Sequence, residues 1–245
     1  MGQERIEPLA RFCRDRGVVI LSDEIYGRIV FGDPRHVSPA VSYPEGTVVF
    51  SGLSKHLSLG GWRIGVALAP RGAVRVARAI AAIASEVWST LAAPMQRAAL
   101  TAFEGDPEIE DYIEACACLH QRRTRRLWDA VRDLGLLAPR PEGAFYTYVD
   151  FAPLAPGLAR LGIRDGEALA DWLLERHRVA TLPGAAFGAA PSRYSLRLAS
   201  SYLDTPESLS VDEVLRLARS PGGGADGPEL GAAIATIGAA VSALR

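Results

Sequence analysis

The sequence predicts an α/β protein: a first domain on part of a mostly parallel sheet, then a smaller α+β domain. Three observations carry this. Short, continuous apolar runs alternate with segments of helical period through residues 5–103, as strands and helices do in α/β sheets. A long Arg-rich stretch of helical period, 106–134, reads as a connector. Beyond it, strand and helix patterns mix as in a small α+β domain. The resulting organisation is 1–105, 106–220, and a tail, 221–245, to which no function is assigned.

Taken in order, residues 5–16 place Ile6, Leu9, Phe12 and Cys13 at helical spacing, with Gly17 as C-cap. VVIL (18–21), running into Ser22 and Asp23, reads as a buried parallel strand. TVVFSG (47–52) is a second such strand and RIGVALAP (63–70) a third. RGAVRVARAIAAIA (71–84) is an amphipathic helix, and 94–103 another after the break at Pro94. On the connector, QRRTRR (121–126) falls on the wet face. In the second domain GAFYTYVDF (143–151), VATLP (179–183) and SLRLAS (195–200) read as strands, and 166–177 and 206–219 as helices. The tail is a Gly-rich linker followed by an Ala-rich segment whose order the sequence leaves open.

Composition narrows the class. An apolar share of 49% with 22% charged residues is that of a soluble globular protein, and a net charge of −1 makes no case for nucleic acid or an anionic membrane. Cys13, Cys116 and Cys118 form neither a disulfide framework nor a CxxC motif, which suits a reducing compartment. MGQERIEPLARF lacks the apolar core of a signal peptide, and no run reaches transmembrane length. A soluble, cytoplasmic protein is expected. His36, His56, His120 and His177 show no metal-ligand spacing, and His56 reads as a solvated loop residue.

One residue breaks the compositional pattern. Of 27 basic side chains, Lys55 is the sole lysine. Arginine supplies charge and anion contacts as well or better, but it does not lose its proton and attack a carbonyl. A retained lysine is therefore a candidate for Schiff-base chemistry with a carbonyl substrate or pyridoxal phosphate. Asp23 sits at the carboxyl end of the first strand and Lys55 just past that of the second, the rim where open parallel sheets bind ligands. A carboxylate opposite an amine there suits pyridoxal 5′-phosphate, with Asp23 keeping the pyridine nitrogen protonated. Tyr26 is placed to reach the ring oxygen and Arg63 the phosphate. In SLRLAS, Leu196 and Leu198 share one face, so Arg197 lies on the other with Ser195 and Ala199, where it has room for a bidentate carboxylate. Each residue has a plainer alternative: a turn for Asp23, core edge for Tyr26, surface charge for Arg63, a structural salt bridge for Arg197.

SDEIY (22–26), SGLSKHLSLGGWRIG (51–65), PEGAFY (141–146), VATLPGAAFG (179–188) and SLRLAS (195–200) occur in one order. In these stretches the chain resembles the fold-type I pyridoxal-phosphate enzymes, and among them the class I/II aminotransferases related to aspartate aminotransferase. The resemblance implies that Asp23 holds the pyridinium, Tyr26 the ring oxygen, Lys55 the aldehyde as an internal aldimine, Arg63 the phosphate and Arg197 the substrate α-carboxylate. It makes 1–105 the C-terminal part of the large cofactor-binding domain. Many relatives have a serine three residues before the lysine; this chain has Gly52 there, with Ser51 and Ser54 as substitutes. Family members also carry a long segment before the strand matching SDEIY, where this chain has twenty-one residues. That segment supplies a phosphate turn, a ring stacked on the cofactor, an asparagine on the ring oxygen and much of a homodimer interface. The activity implied is amino-group transfer between an amino acid and a 2-oxo acid. The alternatives are a lyase of the same fold and a non-catalytic fragment.

Overall fold

The computed structural model describes residues 2–32, 36–203, 210–223 and 227–245. They fall into two compact units, Met1–Ala117 and Cys118–Arg245.

In the first unit α1 (Gln3–Asp15) buries Ile6, Ala10 and Cys13. It ends where Gly17 takes φ 63°, the left-handed region open to glycine, and the Val18 N–H donates back to the Cys13 carbonyl at 2.8 Å. Ala10, Cys13 and Tyr43 make a small core with Ile20. β1 (Ile20–Asp23) is followed by the short α2 (Pro39–Ser42) and by β2 (Thr47–Gly52), and β1 pairs parallel to β2 with Asp23 opposite Phe50. β3 (Gly65–Leu68) lies on the other side of β2 and runs antiparallel to it.

The third strand is thus in place but reversed from the parallel direction expected. An apolar run carries no direction; the connection does. A parallel return needs a crossover, usually a helix, whereas residues 53–64 form turns and one 3-10 turn, Gly60–Trp62. The burial expected of VVIL is also absent. Val18 and Val19, which precede β1, are exposed, and so is Leu21, to 70%; β1 alternates half-buried and exposed positions, so one face of the strand is uncovered. α3 (Val74–Val87) and α4 (Ala93–Phe103) follow, and neither contains a buried residue. α5 (Pro107–Asp133) begins in the first unit and ends in the second.

The second unit contains β4 (Tyr146–Asp150), α6 (Ala155–Arg160), α7 (Gly166–His177), β5 (Leu182–Pro183), β6 (Ser195–Ala199), α8 (Val211–Arg219) and α9 (Pro228–Leu244). β6 is central, with β4 and β5 antiparallel on either side. Val149, Leu196 and Leu198 from the sheet meet Leu127 and Val131 of α5 and Leu169 and Leu173 of α7 in one core. α7 starts where Asp165 accepts the Ala168 N–H at 2.8 Å. Of the helix expected over 206–219, residues 206–209 lie outside the described residues; α8 opens with a capping box between Ser210 and Glu213.

Two features depart from the sequence reading. The Ala-rich tail is a helix, α9, whose Leu230, Ile237, Ala240, Val241 and Leu244 are buried in the core of the unit. A Cβ on Gly157 would overlap the Leu244 carbonyl, so α6 and α9 meet backbone to backbone. The run QRRTRR is not a wet face. Arg123 is 3% exposed and Thr124 fully buried, and Arg126 is the one member that stays exposed. Arg122 donates to the carbonyls of Leu217 (3.3 Å), Ser220 (2.9 Å) and Gly223 (3.2 Å), closing the C-terminal end of α8.

Candidate active site

Parallel pairing of β1 with β2 puts the carboxyl ends of both strands on one rim. Asp23, exposed, is the last residue of β1, and its Oδ1 accepts the Ile25 N–H at 3.1 Å. The residue is therefore a turn former as well as a rim carboxylate. The Glu24 N–H donates to Phe50 O at 2.7 Å, which extends the strand contact past Asp23.

Past β2, the fully buried Leu53 anchors the turn that carries Lys55, and the Leu53 N–H donates to Ile64 O at 3.3 Å. Lys55 is half-buried, and its Nζ lies over the ring of Tyr26, 5.8 Å from the centroid. The structure therefore brings Lys55 and Tyr26 together. Ser51, Ser54 and Arg63 are brought together separately, on the wall of one open groove that Ile25 also lines. Asp23, Tyr26 and Lys55 are not on that wall. Arg63 is exposed, has φ 55° after the 3-10 turn, and donates from Nη1 to Gly60 O at 2.9 Å.

Gly52 has a local cause. A Cβ there would come within 2.5 Å of the Ile64 carbonyl oxygen and 3.3 Å of the Gly65 Cα, the residue that Gly52 pairs with on β3. A serine at 52 would meet backbone, whereas Ser51 and Ser54 place hydroxyl-bearing residues on the groove, as Thr90 does.

The start of α5 lies near this region, which the sequence reading missed: the Glu110 charge acts on His56. Burial raises the pKa of the Tyr112 phenol. Arg28 pairs with Glu110. His56 is not a solvated loop residue but 6% exposed. Burial first, then the Arg28 charge, pulls its pKa below the ordinary value, against an opposing pull from Glu110. No sequence signal marks its burial, and the charges that act on it, Arg28 and Glu110, lie far from it along the chain.

In the second unit Arg197 follows the predicted face. Leu196 and Leu198 are buried, while Arg197 lies opposite Tyr148 of β4 and Leu182 of β5. Its guanidinium carbon stands 4.2 Å from the centroid of Tyr146 and 4.5 Å from that of Phe187. Asp150, an acid on the same strand face as Tyr146 and Tyr148, pairs with Arg193 at 2.7 Å. Among the described residues no structural salt bridge engages Arg197.

Among the described residues no cluster of three or more His, Cys, Asp and Glu side chains could hold a metal ion, and no helix is long and apolar enough to cross a membrane.

Residues 2–207 match the family described as aminotransferase class I and II. The chain belongs to that family. This aminotransferase chain is 35% identical over 192 residues to the probable aspartate/prephenate aminotransferase of Aquifex aeolicus, covering 76% of this chain and 46% of the relative. It is 34% identical over 217 residues to the aspartate aminotransferase of Geobacillus stearothermophilus, covering 87% and 52%. It thus spans about half the length of the curated relatives it matches. Among solved structures, the Thermus thermophilus aspartate aminotransferase with maleate superposes at a TM-score of 0.71 and 31% identity, over 89% of this chain and 50% of that one. The aromatic aminotransferase from Pyrococcus horikoshii superposes at 0.76 and 20% identity, over 99% and 56%, which shows the fold. α9 lies beyond the residues matched to the aminotransferase family.

Proposed function

We propose that this chain carries the lysine-bearing part of a pyridoxal 5′-phosphate-dependent aminotransferase that moves an amino group between an amino acid and a 2-oxo acid. The observation that carries the reading is the sole lysine, half-buried over the Tyr26 ring just past the end of β2. The donor set fits the group: one amine, a rim carboxylate, a phenol, and an arginine with two hydroxyls on one groove wall.

Each residue then has a task. The Lys55 amine would hold the cofactor through its aldehyde and, freed when the substrate amine displaces it, would take the proton from the substrate α-carbon as general base. Asp23 keeps the ring nitrogen protonated, and the Tyr26 hydroxyl donates to the ring oxygen. Ser51, Ser54 and Arg63 bind the phosphate, and the Arg197 fork binds the substrate α-carboxylate. When bound, the cofactor supplies an electron sink for the charge that develops at the α-carbon. The full-length protein is a homodimer in this reading.

The test uses the single side-chain amine. Incubation with pyridoxal phosphate followed by borohydride should leave a pyridoxyl adduct on the peptide containing Lys55, read by mass spectrometry. An adduct confined to the N-terminal amine would remove Lys55 from the mechanism.

A further inference from the structure

Arg197 is half-buried, yet among the described residues its guanidinium has ring faces as its contacts and neither a hydrogen bond nor an ion pair. The neighbouring polar groups are committed elsewhere. The hydroxyl of Tyr148, directly across from Arg197, donates to Ser195 Oγ at 2.9 Å, and Asp150 is taken by Arg193. The two rings reach Arg197 from opposite flanks of β6: Tyr146 from β4, and Phe187 from the 3-10 turn that follows β5. Phe187 is 48% exposed, so the core does not account for its position.

We propose that Tyr146 and Phe187 are positioning residues that clamp the guanidinium of Arg197 and present its N–H edge to a flat carboxylate. The proposal rests on the reading of Arg197 as the carboxylate ligand and adds what fixes its orientation. A guanidinium carries its N–H bonds in its own plane, so ring contact on its faces leaves the edge for hydrogen bonding. A free arginine arm loses rotamer freedom when it binds; an arm already held between rings loses less, and that difference appears as affinity. The edge presents two parallel donors, which match the two oxygens of a carboxylate.

The experiment titrates the 245-residue chain, labelled with 15N-arginine, with maleate, a planar dicarboxylate, and follows the Nε–Hε signal absent from Arg197→Lys. In the parent the signal should be displaced by ring currents and should move on titration. Phe187→Leu and Tyr146→Leu should each relax that displacement and weaken maleate binding by about tenfold. Phe187→Tyr and Tyr146→Phe should keep both, and the Tm of Phe187→Leu should stay at that of the parent. Arg197→Lys should abolish binding. If maleate fails to bind the parent, or binds Arg197→Lys equally well, the carboxylate reading falls and the clamp with it. If Arg197→Lys abolishes binding while both leucine variants bind like the parent, the carboxylate reading stands and the clamp alone is overturned.

Discussion

The two units handle apolar surface in opposite ways. The second gathers leucines and valines from α5, β4, β6, α6, α7 and α9 around one core, with Leu158, Leu169, Leu196, Leu230 and Val241 fully buried. The first has its buried contacts near α1, β2 and the Lys55 turn, while α3 and α4 turn Val87, Trp88, Leu100 and Phe103 outward. Both units contain amphipathic helices. What differs is a second layer for those helices to cover, and an apolar stripe stabilises a fold only where it is removed from water.

A buried carboxylate tests that contrast most sharply. Val241→Asp puts an unpartnered charge into the closed core and is expected to remove more than about 4 kcal/mol of unfolding free energy. Val87→Asp, on a position 70% exposed, should change it by about 0.5 kcal/mol or less. Urea titrations of both variants check this; similar losses would erase the distinction between the units.

Next in size is the pH response of His120, whose ring is tilted at 44° to that of Phe145 with centroids 5.0 Å apart in the second unit. Burial, with the Arg123 charge adding to it, holds its pKa down from 6.5 to about 4. The unfolded chain takes up a proton that the folded chain refuses. The stability is therefore complete above about pH 6.5 and is lost as the pH falls from there to about 4, by about 3 kcal/mol in total. His120→Leu should flatten that window in urea titrations at pH 7 and pH 4. An unchanged slope would place water at His120 and weaken the picture of a closed second unit.

The smallest effect belongs to the first unit. Gly52→Ser restores the serine of many relatives but drives its Cβ toward the Ile64 carbonyl, at an expected cost of about 1–3 kcal/mol. Gly61→Ala, with nothing within 4 Å of the added carbon, should cost little. Hydrogen exchange at the Leu53 amide, bonded to Ile64 O, reports both. Equal protection in the two variants would mean that the β2–β3 approach is slack.

The sequence made legible whatever depends on local period. β2 matches TVVFSG residue for residue, α7 matches 166–177, and the face of Arg197 follows from alternation along one strand. Long-range features were hidden. The direction of β3 is set by its connection, and the burial of VVIL by what covers the face of the sheet. Arg122 looks like surface charge until the end of α8 arrives from about a hundred positions away, at separations of 95 to 101. α9 is Ala-rich and apolar on all sides, so no polar face marked the side that packs. At the candidate site, Lys55 stood out by composition, whereas Phe187 joins Arg197 from a separate turn and gave no sign.

The separations that join α5 to the end of the chain also bear on how the second unit acquires its order. The Arg245 guanidinium donates to Leu134 O at 2.7 Å across 111 positions, and Leu127 and Val131 share a core with Val241 and Leu244. Closing so long a loop costs chain entropy before any contact offsets it, and topologies dominated by such closures fold slowly. The β2–β3 pair closes over the short segment 53–64 and can form early. Within the second unit the docking of α9 on α5 closes a longer loop than the β4–β6 pairing does, and is therefore expected to form after it.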